Sequence, residues 1–316
     1  MDYIETAKKA LKDFAIKSQS IELIVENLTK VYKVIDDNGN DKYCLRLHKS
    51  NDNKKDDKVT VNSELEWISA IANDTDIAVP VPYKNIHGEY VTEIDGISCS
   101  LTKWLDGENK LDRETINLLI ELMAKMHKHT STWEIPKGFT RPQFNVGDLT
   151  TACGLLDNLR ADKGSKDVIE ILLEAAKKAI IVINSIEKNQ TTWGLIHNDL
   201  QPQNLLFLNG TMSPIDFGSC GFGFYLSDIC TAFHYIPPSY RETFFNEYVK
   251  HMPLPNNYVC MAEALYIAGH VIGLAPHTLN GDTSEWLTDY IINVANKEAI
   301  HFINNKPFLF ETAFFM

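Results

Sequence analysis

The chain has 316 residues, enough for two lobes around a core that needs no outside support. Its formal charge of −12 at pH 7 argues against a nucleic-acid partner, whose backbone demands clustered Lys and Arg. No run of about 18 apolar residues occurs, so the sequence predicts no membrane span.

The first residues, MDYIETAKKALKDFAIK, have the pattern of a short amphipathic helix and not of a signal peptide. Residues 21–105 then carry strand signals. IELIVENL and KVYKVI lead to DDNGND, whose Gly and Asn suit a turn, and KYCLRLH follows as a third strand. KSNDNKKDDK (49–58) has no apolar side chain and reads as a surface loop. Ser63 to Ala72 is helix-like, with Leu65, Ile68 and Ala72 on one face. VPVPY forbids helix, and EYVTEI and ISCSLTKWL give two more strands.

Helices dominate after Leu111. Asp112 can cap RETINLLIELMAKMHKH, where Ile116, Leu119, Met123 and Met126 form a stripe. Residues 167–187 read as another long helix, and helical patterns return after Ser239. The expected fold class is α+β: a small antiparallel sheet with one crossover helix in residues 1–103, and a mainly helical half in 104–316. Cysteines 44, 99, 153, 220, 230 and 260 include no CxxC pair, which predicts reduced thiols in a cytoplasmic protein.

The segment HNDLQPQNLLFLNGTMSPIDFG (197–218) holds the chemistry. Asn209-Gly210 is a strong hairpin signal, because both residues tolerate the positive φ of a type I′ turn. Counting outward pairs Leu208 with Thr211 and Leu205 with Pro214, so that Asn204 faces Ile215 and Asp216 emerges beside it. Pro214 cannot donate to a ladder, which predicts an edge strand. An amide oxygen and a carboxylate at one place suit Mg²⁺, which takes one or two carboxylates and completes its shell with water and phosphate. Asp199 can point into the same space as proton acceptor for a substrate hydroxyl.

HxDLxxxN followed by DFG, here His197, Asp199, Leu200, Asn204 and Asp216-Phe217-Gly218, is the catalytic-loop and metal-loop signature of kinases. Asn198 stands where protein kinases have Arg. Together with LIELMAKMHKHTSTWEIPKGFTRPQF and SPIDFGSCGFGFYLSDI, the stretch resembles the aminoglycoside phosphotransferase and choline kinase-like family, over roughly residues 20 to 235. That resemblance implies a two-lobed protein-kinase-like fold and an ATP- and Mg²⁺-dependent kinase, with GTP open as the donor.

It further implies Arg46 on KYCLRLH as the phosphate-holding cation, where Lys is usual, paired to Glu64 in preference to Glu66. The backbone of Lys103 and Leu105 would meet adenine, with Thr102 at the gate. His197 would be structural, and Asp228 would accept hydrogen bonds from the catalytic loop. The first hairpin lacks a GxGxxG loop, leaving amides near Asn27 to Lys30 to cover the phosphates. The GFGFYL aromatics and the Trp residues read as core. The acceptor is expected to be a small molecule with a hydroxyl, and the acidic balance tilts it toward a cation such as an aminoglycoside or amino alcohol. Homoserine, a sugar, protein Ser or Thr, and an inactive nucleotide binder stay open, as do monomer and homodimer.

Overall fold

The structure, a computed structural model, describes residues 3–27, 29–48, 58–157, 166–279 and 284–311. In chain order it begins with helix α1 (Tyr3–Asp13), strands β1 (Ser18–Glu26), β2 (Thr29–Asp36) and β3 (Lys42–His48), and helix α2 (Lys58–Asp74). Strands β4 (Val91–Ile94), β5 (Ile97–Lys103) and β6 (Glu108–Asn109) follow. Then come helices α3 (Ile116–Thr132), α4 (Val146–Asp157) and α5 (Lys166–Ser185), strand β7 (Trp193–Ile196), and the hairpin β8 (Leu205–Leu208) and β9 (Thr211–Pro214). The chain continues with β10 (Gly221–Phe224), α6 (Tyr225–Phe233), α7 (Pro238–Tyr248), α8 (Tyr258–Leu279) and α9 (Glu285–Val294), then a π-helical turn (Ala295–Ala299) and α10 (Ile300–Ile303).

These elements divide into two compact units. The first comprises Met1–Lys110, Trp133–Arg141 and Gln203–Gly218; the second comprises Leu111–Thr132, Pro142–Pro202 and Ser219–Met316.

The first unit is built on an antiparallel sheet in the order β1-β2-β3-β5-β4. Burial alternates along β2 and β3, as period-two patterning requires, whereas β5 is buried on both faces from Ile97 to Thr102. Ala7, Ala10, Leu11 and Phe14 of α1 close one face over Tyr32, Val34, Leu45, Leu47 and Leu101. Helix α2 packs on β4 and β5 as the expected crossover helix, and α1 is the amphipathic helix read at the N-terminus. Helix α2 also starts five residues before the predicted Ser63, at Lys58, the last residue of the expected 49–58 loop; the rest of that loop lies outside the described residues. A second sheet in this unit has the order β6-β8-β9. Its hairpin pairs Leu208 with Thr211 and Leu205 with Pro214, as counted from the turn, and β9 is indeed at an edge.

The second unit is mainly helical, with β7 and β10 paired antiparallel. The predicted stripe Ile116, Leu119, Met123 and Met126 is buried along α3. The helix begins at Ile116 and not at Arg113, because Asp112 Oδ1 accepts from the Glu114 and Thr115 amides and forms a turn first. By length and composition helix α8 is apolar enough to cross a membrane. Its sequence never forms an unbroken apolar run, since Glu263, His270 and glycines interrupt it. In the fold 56% of that apolar window is buried, and α8 packs on α4, α5 and α6 as a core helix.

Candidate active site

In the first unit the hairpin does what its turn dictates. Asn209 and Gly210 both take positive φ, 51° and 80°, which the type I′ geometry demands. One step beyond the last ladder pair, the Ile215 amide donates to the Asn204 carbonyl at 2.9 Å. Asn204 is thereby fixed next to Ile215, and Asp216 follows with φ of 58°, a left-handed backbone that turns the chain sharply.

Arg46 projects from β3 toward this turn. Its Nη1 lies 2.5 Å from Glu64 Oε1 on α2, and its Nη2 lies 3.6 Å from Asp216 Oδ1. Glu64 is buried and Asp216 is largely exposed, so the guanidinium links an interior carboxylate to one facing solvent. Burial works against the Arg46 charge, but Glu64 and Asp216 outweigh it and hold the group above its ordinary range. His48, two residues on, is pushed well down by burial and by the Arg46 and Arg141 charges, and stays neutral. Glu66 instead accepts from Asn62 on its own helix, which settles the choice of partner in favour of Glu64. The Phe217 ring meets the Trp67 ring of α2 edge-on, with centroids 5.5 Å apart.

Lys103 and Thr102 end β5, with Thr102 buried opposite Cys44. The amides of Lys103 and Trp104 donate to Val81 O and Lys42 O, so the β5 end is tied into the sheet just before Leu105. At the first hairpin the Asn27 amide donates to Thr29 O, and Leu28 lies outside the described residues.

The second unit holds the other half of the motif. Asp228, fully buried in the first turn of α6, accepts from the His197 amide at 2.9 Å and the Asn198 amide at 2.6 Å. His127 Nε2 lies 3.1 Å from the same carboxylate, and His127 Nδ1 lies 2.8 Å from the Tyr248 hydroxyl. The imidazole also stacks on Tyr225 at 4.6 Å. These contacts fix the backbone that leads into Asp199. Asn198 takes φ of 63°, a conformation Asn tolerates better than most residues and one that the missing Arg would strain. Downstream of Asp199, Gln201 Oε1 accepts from the Tyr235 hydroxyl at 3.0 Å. Burial, and then the Asp199 charge, push that hydroxyl's pKa up.

The structure thus gathers Arg46, Glu64, Asn204 and Asp216 in the first unit, carries Lys103 and Leu105 there on another strand end, and keeps Asp199 in the second. Two further residues emerge that sequence reasoning quoted without a role. His127 is the second anchor of Asp228, and Arg141 contacts both α2 and Gly218. The signal was present: a His on the buried stripe of α3, and a lone Arg between Thr140 and Pro142, with Phe139 and Phe144 close by in the chain. Trp67 is core as expected, whereas Trp286 is 52% exposed, stacked on Tyr290.

The donor set at the hairpin end fits a hard divalent cation. It offers one carboxylate, on Asp216, and one amide side chain, on Asn204, and the Ile215–Asn204 hydrogen bond brings the backbones that carry them together. Among the described residues no three His, Cys, Asp or Glu side chains converge. Two protein donors are what Mg²⁺ uses when phosphate and water supply the rest.

An α+β chain with a cation-to-glutamate pair on β3 and α2, an Asn–Asp hairpin and a braced HxD loop defines a phosphotransferase of the protein-kinase-like fold. Residues 21–262 match the phosphotransferase enzyme family, and the chain belongs to it. Solved structures share the fold. An amicoumacin kinase in complex with AMP-PNP, Ca²⁺ and its ligand is 15% identical with a TM-score of 0.75, covering 98% of this chain and 95% of that one. A microcompartment-associated aminopropanol kinase is 23% identical with a TM-score of 0.78, covering 96% and 99%. The choline kinase LicA from Streptococcus pneumoniae is 13% identical with a TM-score of 0.63, covering 95% and 99%. No curated protein matches the sequence.

Proposed function

We propose that the chain is an ATP- and Mg²⁺-dependent kinase that phosphorylates a hydroxyl of a small, amine-bearing molecule, an amino alcohol or an aminoglycoside. The observation that carries this reading is Arg46 held between Glu64 and Asp216 beside the Asn204 hairpin. A phosphoryl-transfer enzyme works by positioning and charge neutralisation, and this cluster supplies both.

Bound Mg²⁺, held by Asn204 and Asp216, would neutralise charge on the phosphate oxygens. Arg46 would hold the non-transferred phosphates with its planar fork, steadied by Glu64. The Lys103 carbonyl and the Leu105 amide would meet the adenine edge. Asp199, on a loop stiffened by Asp228, would orient the acceptor hydroxyl and take its proton. The cationic nitrogen in the acceptor is supported by the net charge of −12 and by two relatives named for aminopropanol, an amine, and choline, a quaternary ammonium.

The test is a phosphate-transfer screen with ATP and Mg²⁺ against amino alcohols, aminoglycosides, homoserine and sugars. Transfer to a hydroxyl of an amine-bearing acceptor is the expected result. Transfer only to a neutral sugar would overturn the acceptor class, and no transfer to any acceptor would overturn the reading.

A further inference from the structure

Arg141 lies in the segment TRPQF, outside every helix and strand, and its side chain is almost entirely buried. A buried guanidinium is retained only where its donors are used. Its Nη2 donates to the Gly218 carbonyl at 2.6 Å, and its Nη1 donates to the Thr60 carbonyl of α2 at 3.2 Å. The same Nη1 lies 3.8 Å from Glu64 Oε2. The preceding residue is anchored as well, because the Thr140 amide donates to Ser63 Oγ at 3.0 Å.

Glu64 is therefore flanked by two arginines that lead to opposite ends of one loop. Arg46 reaches Asp216 at its start, and Arg141 grips the carbonyl of Gly218 at its end. Between them Phe217 sits edge-on to Trp67. The three residues after Ile215 are thus tied to α2 or its partner at every position. Gly218 is where a side chain would intrude, since an added Cβ would lie 3.2 Å from both Arg46 Nη2 and Asp216 Oδ1.

We propose that Arg141 is a positioning residue for metal binding: it fixes the Asp216–Gly218 loop against α2, so that Asp216 is presented for the cation while Arg46 is released to the phosphates. The proposal rests on the phosphotransfer reading of this site. Arg46 alone cannot do both tasks, because the fork that holds Asp216 is the fork that must meet phosphate. Arg141 reaches the loop through the Gly218 carbonyl, with Glu64 Oε2 3.8 Å from its Nη1.

The experiment measures ATP affinity as a function of Mg²⁺ for the unaltered chain, Arg141→Met and Arg141→Lys, alongside acceptor KM and the thermal midpoint without ligand. Loss of a charge-assisted hydrogen bond should raise the Mg²⁺ concentration at half-effect by about ten- to a hundredfold in Arg141→Met. Arg141→Lys, which keeps the charge and loses the fork, should recover part of that loss, and acceptor KM should stay within about twofold, since the acceptor hydroxyl is assigned to Asp199. If Arg141→Met does not fold, Arg141→Lys carries the same readout at smaller size. An unchanged Mg²⁺ midpoint in a folded variant would overturn the proposal and leave the kinase reading intact. So would a uniform loss of all parameters in step with lost stability. No effect of Mg²⁺ on ATP binding to the unaltered chain would overturn both, and is seen before any variant is made.

Discussion

Arg46 shows why a single cation type matters at a site with two carboxylates. A lysine ammonium is a compact point charge, whereas the guanidinium directs one nitrogen to Glu64 and another toward Asp216. The departure from Lys thus follows from the geometry it has to serve. Asp199 is a different case, because its role depends on a loop held elsewhere. Two amides of that loop end on the buried Asp228 carboxylate, which His127 also contacts. Asp199→Asn keeps size and hydrogen-bonding capacity but removes the proton acceptor. Turnover should fall by about 10²- to 10⁴-fold while ATP affinity stays nearly constant, measured by steady-state kinetics beside a calorimetric titration. Unchanged turnover would remove Asp199 from its role. The sequence displays Asp199 and Asp228 through spacing alone. It hides Arg141 and His127, whose meaning lies in contacts with residues 77 and 101 positions away.

At the scale of elements, local rules carry furthest where they are self-contained. The β8–β9 register could be counted from Asn209-Gly210, since a two-residue turn leaves no freedom in the pairing. Helix α2 was legible only in its apolar middle, because its first turn, Lys58-Val59-Thr60-Val61, alternates polar and β-branched residues and carries no helical period. The π-helical turn after α9 was not legible at all. It carries Glu298, fully buried, with Oε2 2.9 Å from His270 Nε2, and His270 Nδ1 lies 2.6 Å from the Tyr290 hydroxyl.

This pair has a pH signature. Burial pushes Glu298 up from 4.5 to about 8, and burial, aided by the Arg241 charge, pushes His270 down from 6.5 to about 3. Between roughly pH 4.5 and 8 the folded chain keeps a proton on Glu298 that the unfolded chain has released, so this group's contribution falls as pH rises. Between about 3 and 6.5 the unfolded chain takes up a proton that folded His270 refuses, so stability falls as pH drops. Glu298→Gln removes only the alkaline loss and keeps the size of the side chain. Its thermal midpoint should match that of the unaltered chain near pH 5 and exceed it by several degrees near pH 8.5. Equal midpoints at both pH values would contradict the buried-proton account.

For the molecule as a whole, two regimes of patterning produced two kinds of legibility. The sheet unit announces itself by alternation and turn residues, and its expected strands are found in order. The helical unit announces its long amphipathic helices, but α8 is buried around much of its circumference and resembles a membrane span in composition while serving as core. Composition cannot distinguish these environments, because the same apolar residues satisfy lipid and protein interior alike. Function divides in the same way. Family membership fixes the reaction class, and the net charge of −12 only tilts the acceptor toward a cation.

The central claim is that one hairpin makes Asn204 and Asp216 a divalent-cation site for nucleotide phosphates. The most direct measurement is ATP affinity with and without Mg²⁺, for the unaltered chain and for Asp216→Asn. Magnesium should tighten ATP binding to the unaltered chain by at least about tenfold, on the scale of a charge-assisted contact, and should have little effect on the variant. An equal magnesium effect in both would show that the cation is held elsewhere and would contradict the account.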